Sequence, residues 1–268
     1  MVAALTIAAM CLLVLAWMSH PRYRLVVAAN RDEFHDRAAA PLAWWGDGVP
    51  MLAGRDLAAG GTWMGVTRSG RFGAVTNFRD LSHVPAPEAP SRGTLVPGFL
   101  AQDAEPAEFM QRLRDRAAGY AGFNLVAGGP RSLCYFSNRG NAPPRELEPG
   151  IYGLSNHELD APWPKLERTR ARFAAGLGNV EPDVAALFDL LADREPADDG
   201  AQPDTGLPPE MERAMSSPFV LHSRYGTRCS TVLLVGHDGC TFAAERRFDA
   251  AGRLTGASRV EFAVDGPR

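Results

Sequence analysis

The sequence predicts an α+β protein built from two mainly antiparallel sheets with helices on their outer faces. Paired apolar strand segments joined by short turns occur at both ends of the chain, and helix-period segments lie between them. The regular strand–helix–strand alternation of a parallel doubly wound fold is missing. With 268 residues, 46% of them hydrophobic, the chain can bury one large core or two small ones, and we read a single domain over 10–268.

Cys11–Trp17 and Tyr23–Ala29 read as a buried hairpin across Ser19-His20-Pro21. On that reading the polar run Asn30-Arg31-Asp32-Glu33 lies at a strand's end. Gly61–Thr67 and Arg71–Asn77 form a second hairpin, with Gly70 supplying the turn geometry. A short helix is expected around Leu95–Ala101, and a longer one from Pro106 with Phe109, Met110, Leu113 and Ala117 on one face. Strands return at 122–127 and 133–138, and another runs into Tyr152–Asn156. Helices follow over about Lys165–Leu177 and from Pro182, where Val184, Leu187, Phe188 and Leu191 keep the helical spacing. Glu195–Pro209 reads as an exposed loop, and Cys229–Val235, Thr241–Phe248 and Val260–Val264 as closing strands.

The start of the chain carries the chemistry. Cys11 directly follows Met10, which points to translation beginning at Met10 and makes residues 1–9 a start-site extension. Removal of that methionine leaves a first residue with both a thiol and an α-amine, of ordinary pKa about 8.5 and about 8. Such a residue holds nucleophile and proton acceptor together. The apolar stretch through Met18 also resembles a signal or membrane span. Against that, no Lys or Arg precedes Arg22 and the length is marginal, so no stable membrane insertion and a cytoplasmic location are expected. The net charge of -3 and pI near 6.1 give no basic stripe for nucleic acid. Four cysteines without CxxC spacing and six unpaired histidines leave no metal site or cofactor to expect, and fit a reducing compartment.

Several segments then occur in order: Met10-Cys11, Ala28-Ala29-Asn30-Arg31-Asp32-Glu33-Phe34, Gly60-Gly61-Thr62-Trp63, Ala74-Val75-Thr76-Asn77-Phe78-Arg79, Leu154-Ser155-Asn156 and Trp163-Pro164-Lys165. Together they resemble the NRDE family, also called the Transport and Golgi organization protein 2 family. The resemblance implies an αββα sandwich similar to that of N-terminal nucleophile hydrolases. A more distant similarity is to the cysteine members of that fold, the penicillin V acylase and bile salt hydrolase group. It implies Cys11 as nucleophile, Arg31 and Asp32 as its charged neighbours, Asn77 and Asn156 for positioning and the oxyanion, and Arg228 as a late cation. Asn30 and Glu33 would support them.

One departure from that pattern has a physical consequence. Arg31 and Asp32 are adjacent, and adjacent strand residues point to opposite faces. A bend at Asn30–Glu33 is therefore expected, with one charge reaching Cys11 and the other partnered elsewhere. From the residues alone, Arg31 and Asp32 also read as an ion pair, Asn77 and Asn156 as turn residues, and Arg228 as a solvated loop charge.

Two functions follow. One is an N-terminal cysteine hydrolase acting on an amide or related acyl bond of a small or lipid-like substrate. The other is a non-enzymatic protein binding or trafficking haem or lipid, since the resembling family is linked to haem mobilisation, lipid homeostasis and secretory-organelle organisation. Fold resemblance does not choose between them. The protein made from its native start should have the intact mass of a chain beginning at Cys11, and a mass that includes residues 1–10 would overturn the start-site reading.

Overall fold

A computed structural model describes residues 11–264, apart from 81, 82, 84, 85, 87, 141, 179, 199 and 202–204. The expected extension over 1–9 and part of the expected loop at 195–209 lie outside the described residues. Strand β1 (Cys11–Trp17) shows how the layers form, because its alternate side chains enter different cores. Leu13, Leu15 and Trp17 pack between two sheets with Val66, Phe72 and Ala74. Leu12, Val14 and Ala16 face the other way, onto Leu166, Phe173 and Leu187 of the helices.

Beyond β1, the strands are β2 (Tyr23–Phe34), β3 (Ala39–Trp44), β4 (Met51–Asp56), β5 (Met64–Thr67), β6 (Phe72–Asn77), β7 (Phe123–Gly128), β8 (Leu133–Ser137), β9 (Arg145–Glu146), β10 (Gly150–Leu154), β11 (Tyr225–Gly236), β12 (Cys240–Phe248) and β13 (Leu254–Ala263). One sheet has the order β10-β1-β2-β11-β12-β13 and the other β3-β4-β5-β6-β7-β8-β9, and every pairing is antiparallel. Helices α1 (Leu95–Leu100) and α2 (Pro106–Arg114) cover the second sheet through Val96, Phe99, Phe109 and Met110. Helices α3 (Pro164–Gly176) and α4 (Val184–Leu191) cover the first, and α5 (Pro209–Met215) follows. The result is the expected αββα sandwich. Among the described residues, no helix is long and apolar enough to cross a membrane.

Strands β3, β4 and β9 and helix α5 lie where the sequence expectation places no element, and β13 begins at Leu254, ahead of the expected Val260. β3 and β4 carry Pro41 and short apolar runs without clean alternation. Pro41 is tolerated because β3 is a sheet edge and its register with β4 shifts between Ala40 and Ala43. α5 begins at Pro209, the last residue of the expected Pro-rich loop, with that proline at its first position.

The Gly60-Gly61-Thr62-Trp63 segment has a packing reason. Gly60 has φ +74°, and a methyl on Gly61 would overlap the carbonyl of Gly93, which accepts a hydrogen bond from Thr62 N at 3.0 Å. Trp63 is thereby fixed under the first sheet. Gly61→Ala should lower unfolding stability by about 1–3 kcal/mol, read by urea denaturation, and an unchanged midpoint would show that this approach is loose.

Candidate active site

Register builds the site. Cys11 lies opposite Arg31 across β1 and β2, and Cys229 of β11 lies opposite Arg31 on the other side. β2 does not bend at Asn30–Glu33; it continues as a strand to Phe34, which corrects the sequence expectation. The irregularity falls on the facing strand, where the register shifts between Thr227 and Cys229 and leaves Arg228 as the extra residue. β2 stays regular because β11 still pairs with it as far as Phe34, beyond the bulge. Alternation therefore holds, and Arg31 and Asp32 serve opposite faces.

Arg31 lies between the sheets. Its guanidinium is 4.5 Å from the Trp63 ring centroid, and its Nη2 donates to Asp56 Oδ2 at 3.3 Å. Arg37 Nε donates to the same oxygen at 2.7 Å, while Glu33 Oε2 lies 3.6 Å from Arg31 and 3.7 Å from Arg37. Burial works against the Asp56 charge, yet the Arg37 hydrogen bond, the Ala59 N–H and the two guanidinium charges hold its carboxyl below the usual range. Arg31 Nη1 is buried and has no hydrogen-bond partner.

Asp32 serves the face covered by α3. Its Oδ1 accepts from the Thr227 hydroxyl at 2.6 Å and its carbonyl from the Tyr225 hydroxyl at 2.9 Å, while Oδ2 is buried without a partner. Burial pushes its carboxyl up to about 7 against the pull of the Thr227 bond, Lys165 and Arg31. Lys165 stands at the start of α3 and donates to the Met215 carbonyl at 2.8 Å. Burial lowers it to about 8, opposed by the negative charge of Asp32.

Both charges act on Cys11, whose residue surface is only partly exposed. Burial pushes the Cys11 thiol up to about 12, and the Asp32 carboxylate adds to that rise. A hydrogen bond from the Asp32 backbone and the charge of Arg31 pull the other way. Arg92, largely desolvated and donating to the Gly122 carbonyl at 2.9 Å, is close enough to feel Cys11 and Glu33.

The other sequence candidates are placed as follows. Arg228 Nη1 donates to the carbonyls of Phe34 and His35 at 2.9 and 2.7 Å, tying down the chain as it leaves β2, and its charge is felt beside Arg31. Asn156 Nδ2 donates to the Asn77 carbonyl at 3.2 Å, which joins the loop after β10 to the end of β6. Asn30 donates to the carbonyls of Leu191 and Pro218 and accepts from Ser230 Oγ, so its amide binds β2 to α4 and β11. Glu33 Oε1 accepts from its neighbour's N–H at Phe34. Sequence reasoning missed Lys165, Arg92, Asp56 and Thr227 as site residues. Only Lys165 carried a signal, a cation in the first turn of a helix, where the macrodipole disfavours it.

These features define an αββα protein with a thiol, a guanidinium and a carboxylate gathered around one end of a central strand pair. The chain belongs to the Transport and Golgi organisation 2 family, whose model matches residues 10–250. It is 35% identical over 246 residues to the Transport and Golgi organization 2 homolog of Mus musculus, covering 85% of this chain and 88% of that one. It is 28% identical over 252 residues to Transport and Golgi organization protein 2 of Drosophila melanogaster, covering 84% and 88%. Among solved structures, the Caenorhabditis elegans N-acylethanolamine-hydrolyzing acid amidase ortholog superposes with a TM-score of 0.43 at 11% identity, covering 84% of this chain and 92% of that one.

Asp32 gives a pH test. Its carboxyl stands at about 7 in the fold, against about 3.9 for an unfolded Asp. A raised carboxyl favours folding below its unfolded value, and that contribution is lost as pH rises through the folded value. Wild type should therefore lose stability relative to Asp32→Asn between about pH 4 and about pH 7, measured by urea unfolding. Parallel stability curves would show that the fold does not perturb this carboxyl.

Proposed function

We propose that the protein is an N-terminal cysteine hydrolase that cleaves an amide or related acyl bond of a small or lipid-like substrate once Cys11 is its first residue. The observation that carries this reading is a pair of unpartnered buried atoms, Arg31 Nη1 and Asp32 Oδ2, from two residues that both act on the Cys11 thiol. Buried polar atoms without partners are costly, and one on each face of the strand beside a nucleophile is set to receive other groups. Support for the start comes from the family match, which begins at residue 10.

In this mechanism the α-amine of Cys11 is the partner of Asp32 Oδ2. The amine takes the thiol proton, Sγ attacks the carbonyl carbon, and a C–S bond forms as the carbonyl electrons move onto oxygen. Collapse of that intermediate breaks the C–N bond, and the amine returns the proton to the leaving nitrogen. Water then hydrolyses the thioester. Arg31 Nη1 is the donor available to the developing oxyanion, and the Asn77–Asn156 junction shapes the end of the β6 wall. A free α-amine also changes the thiol's surroundings: with residues attached before Cys11, the thiol stands at about 12 and is nearly all protonated at neutral pH.

The test compares chains beginning at Met1 and at Cys11. In the longer chain the exposed Cys240 should react with iodoacetamide before the desolvated Cys11, Cys134 and Cys229. In the shorter chain Cys11 should react first and turn over fluorogenic N-acyl amides, and Cys11→Ala should cost on the order of 10³-fold in rate. No difference in Cys11 labelling between the two chains, with no turnover by either, would contradict the reading.

A further inference from the structure

Lys165 is unexplained by the fold. It occupies the second position of α3, behind Pro164, where the helix's own N–H dipoles repel a cation. It is only 3% exposed, so it has also given up hydration. The one hydrogen bond it makes, to the Met215 carbonyl, is a bond that a neutral amide would also make. Helix stability and solvation thus argue against a lysine here, while the Trp163 ring, 5.9 Å from its Nζ, and the Met215 carbonyl favour it.

What faces it supplies a reason. α3 packs on β1 through Leu166, Leu12 and Val14, on the same side of the sheet to which alternation turns Asp32. Asp32 has one carboxylate oxygen held by Thr227 and the other unpartnered and buried. The titratable and charged groups around Asp32 are Arg31 and Glu33 on its own strand, Cys11 on β1, the Tyr225 hydroxyl on β11 and Lys165 on α3. Those around Lys165 are Asp32, Cys11, Arg79 and Glu212. Arg79 is paired with Glu212 at 3.2 Å, and Arg31 with Asp56 on the far face of the sheet. Lys165 is therefore the cation on the α3 side whose charge is available to Asp32.

We propose that Lys165 is a positioning residue of the Cys11 site, whose charge favours the ionised form of the buried Asp32 carboxylate so that its free oxygen can hold the α-ammonium of Cys11. The proposal rests on the hydrolase reading for the purpose of that carboxylate, while the placement of Lys165 on the Asp32 side of the sheet stands on the fold alone. Lys165 touches neither substrate nor thiol in this role. Its action passes through Asp32.

The experiment follows the Asp32 carboxyl carbon by NMR titration in the full chain, which reads the link whether or not the protein is an enzyme. Lys165→Met removes charge and hydrogen bond, Lys165→Gln removes the charge while keeping a donor for the Met215 carbonyl, and Lys165→Arg keeps the charge. In both neutral variants the Asp32 midpoint should rise by about one pH unit or more, a roughly tenfold loss of ionised over protonated form at a given pH. Lys165→Arg should restore it toward wild type. A midpoint unchanged in folded Lys165→Gln would overturn the proposal, even if Lys165→Met fails to fold. Absence of turnover in the chain beginning at Cys11, with the midpoint shift present, would instead count against the hydrolase reading and leave the link standing.

Discussion

The register of β1 on β2 is the constraint on which the rest depends. Side chains on a strand alternate, so a slip of one residue would move Leu13, Leu15 and Trp17 out of the inter-sheet core and Leu12, Val14 and Ala16 out of the helix layer. Both faces of β1 are buried and apolar, which makes such a slip costly twice over. The same register sets Cys11 opposite Arg31. Core packing along the strand thus fixes the geometry of the polar end.

Two charges buried at consecutive positions need two separate solutions. Arg31 is met between the sheets by Asp56, Glu33 and the face of Trp63, and the glycines before Trp63 let that segment lie against Gly93. Asp32 is met on the helix side by the Thr227 hydroxyl and the field of Lys165. The thiol between them feels a cation from one face and an anion from the other. Its reactivity is then governed by how deeply it is desolvated.

Much of the architecture was legible because the strong elements announce themselves. The apolar hairpin from Cys11, the turn at Gly70 and the helical spacing from Val184 each match the fold. β3 was not legible, since Pro41 reads against a strand until its place at a sheet edge is known. For the candidate site, Cys11, Arg31 and Asp32 stand out in the sequence, but the bend expected at Asn30–Glu33 is absent: β2 stays regular, and alternation sends Arg31 and Asp32 to opposite faces. The location of the irregularity was not legible, because a bulge at Arg228 depends on pairing with a strand far along the chain. Lys165 is legible in the Trp163-Pro164-Lys165 motif and as the start of a helix, but its place beside the site is not, for the same reason: its partners come from β2 and from the residue that ends α5.

On the proposed reading, Asp32 Oδ2 is kept open for the amine of an N-terminal Cys11. A crystal structure of the chain beginning at Cys11 tests it most directly. The α-nitrogen is expected within hydrogen-bond distance of Asp32 Oδ2, about 2.7–3.2 Å, with Sγ beside Arg31 Nη1. An α-nitrogen turned to solvent, with Oδ2 still unpartnered, would contradict it.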